Sequence, residues 1–139
     1  MNISKFTQKS VQAVQDLEKV AYEYGNQEVE QEHLLYALLT QEDSLILKLI
    51  EKMEINKDYF INTVKKALDA KVKVSGGDLR FGQYLNKSLV NAENEAKAMG
   101  DEYVSVEHLF LSLLTQPSPS MKKIFNEFGI TRERFLQAL

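Results

Sequence analysis

Glu32-His33-Leu34-Leu35-Tyr36-Ala37-Leu38-Leu39-Thr40-Gln41 returns 75 residues further on as Glu107-His108-Leu109-Phe110-Leu111-Ser112-Leu113-Leu114-Thr115-Gln116. The same offset pairs Phe6 with Phe81, Glu18 with Glu93, Ala21 with Ala96, Gly25 with Gly100 and Val29 with Val104. It continues through Lys48 and Lys123, Ile55 and Ile130, and Phe60 and Phe135 without a gap. Positions that differ keep their character, as with Val14 and Leu89 or Ile50 and Phe125. One register held over so many apolar positions marks an internal duplication, and each copy must then fold the same way.

Each copy has helical periodicity. Phe81, Leu85, Leu89, Ala92, Ala96 and Met99 recur at steps of four and three, the stripe of an amphipathic helix. Phe6, Ser10, Val14, Leu17, Ala21 and Tyr24 follow the same template. Both stripes stop at a glycine, Gly25 or Gly100, the residue that accepts the left-handed conformation after a helix. A short extended piece with Val29 or Val104 follows. A second helix then opens at Ser105, a good cap, or at Glu30, a poorer one. It ends near Thr40 or Thr115, with Pro117 and Pro119 marking the turn in the second copy. Third helices carry Ile46, Leu49, Ile50 and Met53, or Met121, Ile124, Phe125 and Phe128. Asn56 and Thr131 cap the fourth. The expected fold is all-α, eight helices in two pseudo-symmetric four-helix repeats, residues 3–70 and 80–139. Residues 71–79, with Gly76-Gly77, read as a flexible connection. A unit of about sixty residues has a marginal core, so the two copies are expected to pack into one domain over residues 1–139.

Composition excludes several function classes. With 139 residues, 44% hydrophobic, the chain can bury one proper core. A net charge of −3 argues against a dedicated nucleic-acid binder, which needs a basic patch to displace counterions. The chain has no cysteine, hence no disulfide frame and no thiolate nucleophile or ligand. The apolar run Leu34–Leu39 is too short to span a bilayer, and the first residues lack a secretory pattern. A soluble cytoplasmic protein without membrane contact is expected.

No catalytic constellation stands out. Lys9-Ser10 and Lys87-Ser88 lack the upstream glycines that let backbone amides cradle phosphate. His33 and His108 have no partner one helical turn away, so a metal role is not expected. Each imidazole is expected to pack at the start of the second helix and bond the neighbouring loop. Glu32 and Glu107 suit a helix N-terminus electrostatically and are also binding candidates. The aromatics mostly follow the core stripes, except Tyr103, which falls in the extended segment where it could border a surface groove.

Gly25–Gln41 and Gly100–Gln116 resemble the twin repeats of the Clp-type AAA+ chaperone N-terminal domain. Phe6-Thr7, Gln41-Glu42-Asp43 and Val74-Ser75-Gly76 look most like the ClpB branch. The likeness implies an eight-helix domain joined to two ATPase modules, which would hold ATP and magnesium; this chain itself carries no cofactor or metal. It implies unfolded or aggregated protein clients, an ATPase ring in a parent hexamer and a partner chaperone system, with the isolated domain monomeric and not itself an enzyme. By the same resemblance Thr7, Asp101 and Glu107 match client-engaging positions, and Tyr103 lies beside them. The alternative is a ClpC-like adaptor or phosphoarginine-docking domain of a protease unfoldase, in which Glu32 and Glu107 would receive the modified arginine. Two departures stand out: Phe81-Gly82 replaces a Ser-Pro-like helix start, and Glu30-Gln31 replaces a pair containing Gly or Thr.

Overall fold

The computed structural model describes residues 3–139. Among them are a 3-10 turn at Ile3–Lys5 and eight α-helices: α1 Gln8–Glu23, α2 Gln31–Leu39, α3 Leu45–Lys52, α4 Lys57–Asp69, α5 Gln83–Ala98, α6 Val106–Thr115, α7 Pro119–Glu127 and α8 Arg132–Ala138. The 75-residue offset maps α1 onto α5 at both ends. Both helices close on a left-handed glycine, Gly25 with φ 69° and Gly100 with φ 73°. Pro119 occupies the first turn of α7 behind its cap Ser118, where a missing N–H costs nothing.

Two very short strands, β1 (Glu28–Val29) and β2 (Arg80–Phe81), pair in parallel with Val29 opposite Phe81. Phe6 bridges Val104 in the same sense. Under the offset Phe6 corresponds to Phe81 and Val104 to Val29, so the copies exchange entry segments reciprocally. The Thr7 N–H donates to Val104 O at 3.0 Å and the Gly82 N–H to Val29 O at 2.8 Å. Each α1-type helix is thus anchored at its start by the other copy. Gly82 is not inside a helix: it is the extended N-cap of α5, with φ −67° and ψ 162°. A Cβ there would come within 3.1 Å of Glu28 Oε1 and 3.4 Å of Val29 O, so this crossing leaves little room for a side chain.

One apolar cluster runs through both copies. It includes Leu17, Leu38, Ile50 and Phe60 from the first, and Leu89, Leu113, Phe125 and Phe135 from the second. At its centre α2 and α6 pack on each other as well as on their own α1-type helices. Within the second copy Phe110 packs against Phe135 with centroids 4.5 Å apart, and between the copies Phe128 meets Phe60 edge-on at 4.9 Å. The second copy has a lock of its own. Arg132 grips the carboxylate of Glu95 with two hydrogen bonds of 2.7 Å, and Thr115 donates to the same group. These bonds join α5, α6 and α8 and hold the Glu95 carboxyl below its usual range.

The connection, residues 71–79, carries no helix or strand, and Gly76 and Gly77 both have positive φ. Its first half is strapped rather than free. The Val74 N–H donates to Gly25 O at 2.9 Å, Lys73 Nζ to Tyr24 O at 2.6 Å and Asn26 Nδ2 to Val72 O at 3.0 Å.

After α3 the chain turns through Glu54 at φ 62°, and after α7 through Gly129 at φ 63°, the equivalent position. A glutamate in the left-handed region is strained by roughly 1 kcal/mol, and glycine is not. Glu54→Gly is therefore expected to raise the unfolding free energy by up to about 1 kcal/mol. A urea denaturation curve checks this, and a lower midpoint with unchanged slope contradicts it.

Candidate functional site

The repeated Glu-His pair begins both central helices, and the two histidines do the same work. Nδ1 of His33 accepts from the Glu30 N–H at 2.8 Å, and Nδ1 of His108 accepts from the Ser105 N–H at 2.8 Å. The imidazole thus takes the place of Glu or Gln in a capping box, satisfying a donor at the helix start. With Nδ1 accepting, the proton sits on Nε2. It is donated to Asn26 Oδ1 at 3.0 Å in the first copy and to Asp101 Oδ2 at 2.9 Å in the second. Asn26 and Asp101 are equivalent in the repeat. Both rings are buried, and His33 has its pKa pushed down to about 4, first by burial and then by the nearby Lys71. Among the described residues no group of three or more acidic or histidine side chains is placed to hold a metal ion.

The two glutamates diverge. Glu32 is 1% exposed. Its carboxylate accepts from Ser120 Oγ at 2.6 Å and lies 3.4 Å from Lys71 Nζ, which also pairs with Glu30 at 2.5 Å. A modified arginine would have to displace both Lys71 and Ser120 to reach it. Glu107 is half-buried and has no hydrogen bond or ion pair among the described residues.

Glu107 borders a groove of about 230 Å³ where the start of α6 faces the starts of α1 and α3. Thr7, Lys9, Gln41 and Asp43 stand on its walls, and Leu45 and Val106 supply an apolar floor. Thr7 is fixed there twice, by its backbone bond to Val104 and by its hydroxyl oxygen, which caps α1 by accepting from the Ser10 N–H at 3.2 Å. Thr7 and Glu107 are therefore brought together. Asp101 and Tyr103 are not on the walls. They lie on the extended segment leading to α6, Asp101 bonded to His108 and Tyr103 53% exposed. Lys9, Gln41, Asp43, Leu45 and Val106 also line the groove, and none of them was among the expected client-binding residues. The one signal for them was Leu45, an apolar residue at the exposed start of α3. A larger cavity, about 450 Å³, lies alongside between α1 and the end of α2. Its lining, from Gln8 to Glu42, is made of polar residues and has no aliphatic or aromatic side chain to anchor an apolar ligand.

The sequence and the fold match known proteins. The Clp repeat (R) N-terminal domain family covers residues 5–138. The chain belongs to that family. The chaperone protein ClpB of Nitratidesulfovibrio vulgaris is 39% identical over all of this Clp N-domain, which spans 17% of that relative's length. Among solved structures, the N-terminal domain of Hsp104 from Candida albicans superposes with a TM-score of 0.83 at 21% identity, covering 96% of this chain and 88% of that one. The ClpV N-domain in complex with a VipB peptide superposes at 0.72 with 21% identity, covering 98% and 89%. These two structural likenesses carry the fold. Among the described residues no helix of this Clp N-domain is long and apolar enough to cross a membrane.

Proposed function

We propose that this domain binds exposed apolar segments of unfolded or aggregated proteins and passes them to the ATPase ring of a ClpB-like AAA+ disaggregase. The observation that carries this reading is the groove itself, with an apolar floor of Leu45 and Val106 under the unpaired carboxylate of Glu107. A client segment gains by burying an apolar side chain on that floor, at about 25 cal/mol per Å² of area removed from water. Polar walls at Thr7 and Gln41 offer hydrogen bonds to a backbone of any sequence. Such chemistry suits a site that meets many clients. Support also comes from the ClpB relatives and from the peptide held by a ClpV N-domain. The domain adds no chemical step in this reading. ATP and magnesium belong to the ring modules, and a partner chaperone system acts with the parent in the cytoplasm.

Hand-off to a ring requires release, so affinity is expected to be modest, on the order of micromolar or weaker, about −8 kcal/mol at most. The test is an NMR titration of the 15N-labelled domain with a permanently unfolded protein. Shifts are expected on Thr7, Tyr103 and Glu107, and Glu107→Gln and Asp101→Asn variants that stay folded are expected to bind more weakly. Shifts confined to the far side of the domain, or binding indifferent to both changes, would remove this groove from the function.

A further inference from the structure

The duplication gives the domain a second groove, related to the first by the same 75-residue offset. Gly82 stands there in place of Thr7, Tyr84 in place of Lys9, Gln31 in place of Val106 and Ser118 in place of Asp43. The two are alike in size, about 280 Å³ and about 230 Å³. Resting on the client-binding reading above, we propose that only the first groove takes a client, that the exchange of Val106 for Gln31 makes the difference, and that the occupant is an extended segment bearing an apolar side chain beside a lysine or arginine.

Because the cavities match in size, what separates them is chemistry. In the first groove Val106 and Leu45 present hydrocarbon, and Leu45 is 39% exposed. In the second, Gln31 is 1% exposed and its amide is fully engaged. Nε2 donates to Ser88 Oγ at 2.8 Å and to Gln116 O at 2.9 Å, while Oε1 accepts from the Ser118 N–H at 2.8 Å. The counterpart of Leu45 is Ser120, which donates to Glu32. An apolar side chain entering here would meet the Tyr84 ring on one side but the Gln31 amide, Ser118 and the carboxylates of Glu28 and Glu30 elsewhere. Pushing Gln31 aside would strand the Ser118 N–H and the Gln116 carbonyl without partners. These bonds also cross between the copies, so the residue that spoils the second groove as an apolar site fastens α2 to the segment before α7.

Charge separates the grooves less sharply than packing does, because Glu28 and Glu30 line the second one. Lys71 holds Glu30 on the second groove's wall and lies beside Glu32, the counterpart of Glu107, whereas among the described residues no cation pairs with Glu107. The other charges on the first groove's walls are already directed elsewhere. Lys9 Nζ donates to Glu42 O at 2.7 Å, and Asp43 pairs with Lys48 at 2.6 Å. A basic residue next to the apolar anchor would meet the Glu107 carboxylate. At a half-exposed site this adds selectivity of about fivefold at most, so apolar burial remains the main source of affinity.

The experiment is an NMR titration of the 15N-labelled chain with a ten-residue peptide, blocked at both ends, carrying Leu-Phe-Arg in a Gly-Ser background. Expected are saturable shifts at Leu45, Val106 and Glu107, none at Gln31, Tyr84 and Ser118, and one peptide per chain. Val106→Gln, which copies the second groove's residue into the first, is expected to weaken binding at least tenfold. Gln31→Val is expected to add a second set of shifts around Tyr84 and Ser118. Replacing the peptide arginine by aspartate is expected to weaken binding about fivefold. Saturable shifts at both grooves of the unaltered chain would overturn this proposal and leave client binding standing. No saturable shift at either groove up to millimolar peptide would overturn both. Undiminished binding by a Val106→Gln chain that melts like the parent would overturn the role of Val106. Equal binding of the aspartate peptide would overturn the choice of occupant. Should Val106→Gln fail to fold, the shift map and stoichiometry of the unaltered chain decide.

Discussion

Replacing Leu38 or Leu113 by alanine is expected to lower the unfolding free energy by about 2–5 kcal/mol, the range for leucines buried in well-packed cores. The two are equivalent in the repeat, lie in the last turns of α2 and α6, and are both fully buried. Neither helix can close over the lost methyl groups easily. Each is clamped between its own α1-type helix and the central helix of the other copy, so most of the vacated volume stays as a cavity. The shape of the transition carries a second expectation. One apolar cluster spans both copies, and each copy pins the other's first long helix through the Phe6–Val104 and Val29–Phe81 pairings. Loss of Leu113 should therefore unfold both halves together, in a single denaturation step shifted to lower urea. Midpoints that barely move would place these leucines outside the core. A curve splitting into two steps would show that the copies fold independently.

The repeat made most of this architecture legible before any coordinates. Helix periodicity, the two terminal glycines and the caps Asn56 and Thr131 are local signals, and α1 and α5 fall one offset apart at both ends. The pairing of β1 with β2 was not legible, because a strand of two residues has no alternation to read. Gly82 illustrates the same limit. Its dihedrals suit any residue, and what leaves little room for a side chain is the Val29 carbonyl beside it, more than fifty residues away in the chain. The site was partly legible. Thr7 and Glu107 share a groove, while Asp101 serves the His108 ring and Tyr103 stands beside the walls. The different fates of Glu32 and Glu107 could not be read from identical Glu-His-Leu contexts. What buries and pairs Glu32 is Lys71 from the connection and Ser120 from α7, both remote in sequence.

The domain is expected to lose stability as pH falls from about 6.5 to about 4, and His33 is the residue responsible. Its ring is fully buried, with Nδ1 accepting from the Glu30 N–H and Nε2 donating to Asn26. A second proton could go only on Nδ1, where it would face another N–H and break the cap of α2. Burial is the largest cause of the pKa being pushed down to about 4, and the positive charge of Lys71 adds to it. The carboxylate of Glu32 and the backbone bond from Glu30 work the other way without prevailing. In the unfolded chain the same ring titrates near 6.5. Between those values the unfolded state holds a proton that the folded state does not, so stability falls with pH through this window. Above 6.5 the two states agree and nothing is lost. A depression of that size corresponds to about 3 kcal/mol once the pH has fallen to 4. The Glu95 carboxyl, held down by Arg132, acts in the same direction but only where carboxylates begin to protonate, so the upper part of the window belongs to the histidine. The measurement is urea denaturation at half-unit steps from pH 7.5 to 4.5, for the parent and for His33→Gln. The glutamine variant should be less stable at pH 7, having lost its cap, yet should show a much flatter profile between pH 6.5 and 5. Parallel profiles for the two proteins would mean that His33 is not what acid attacks first.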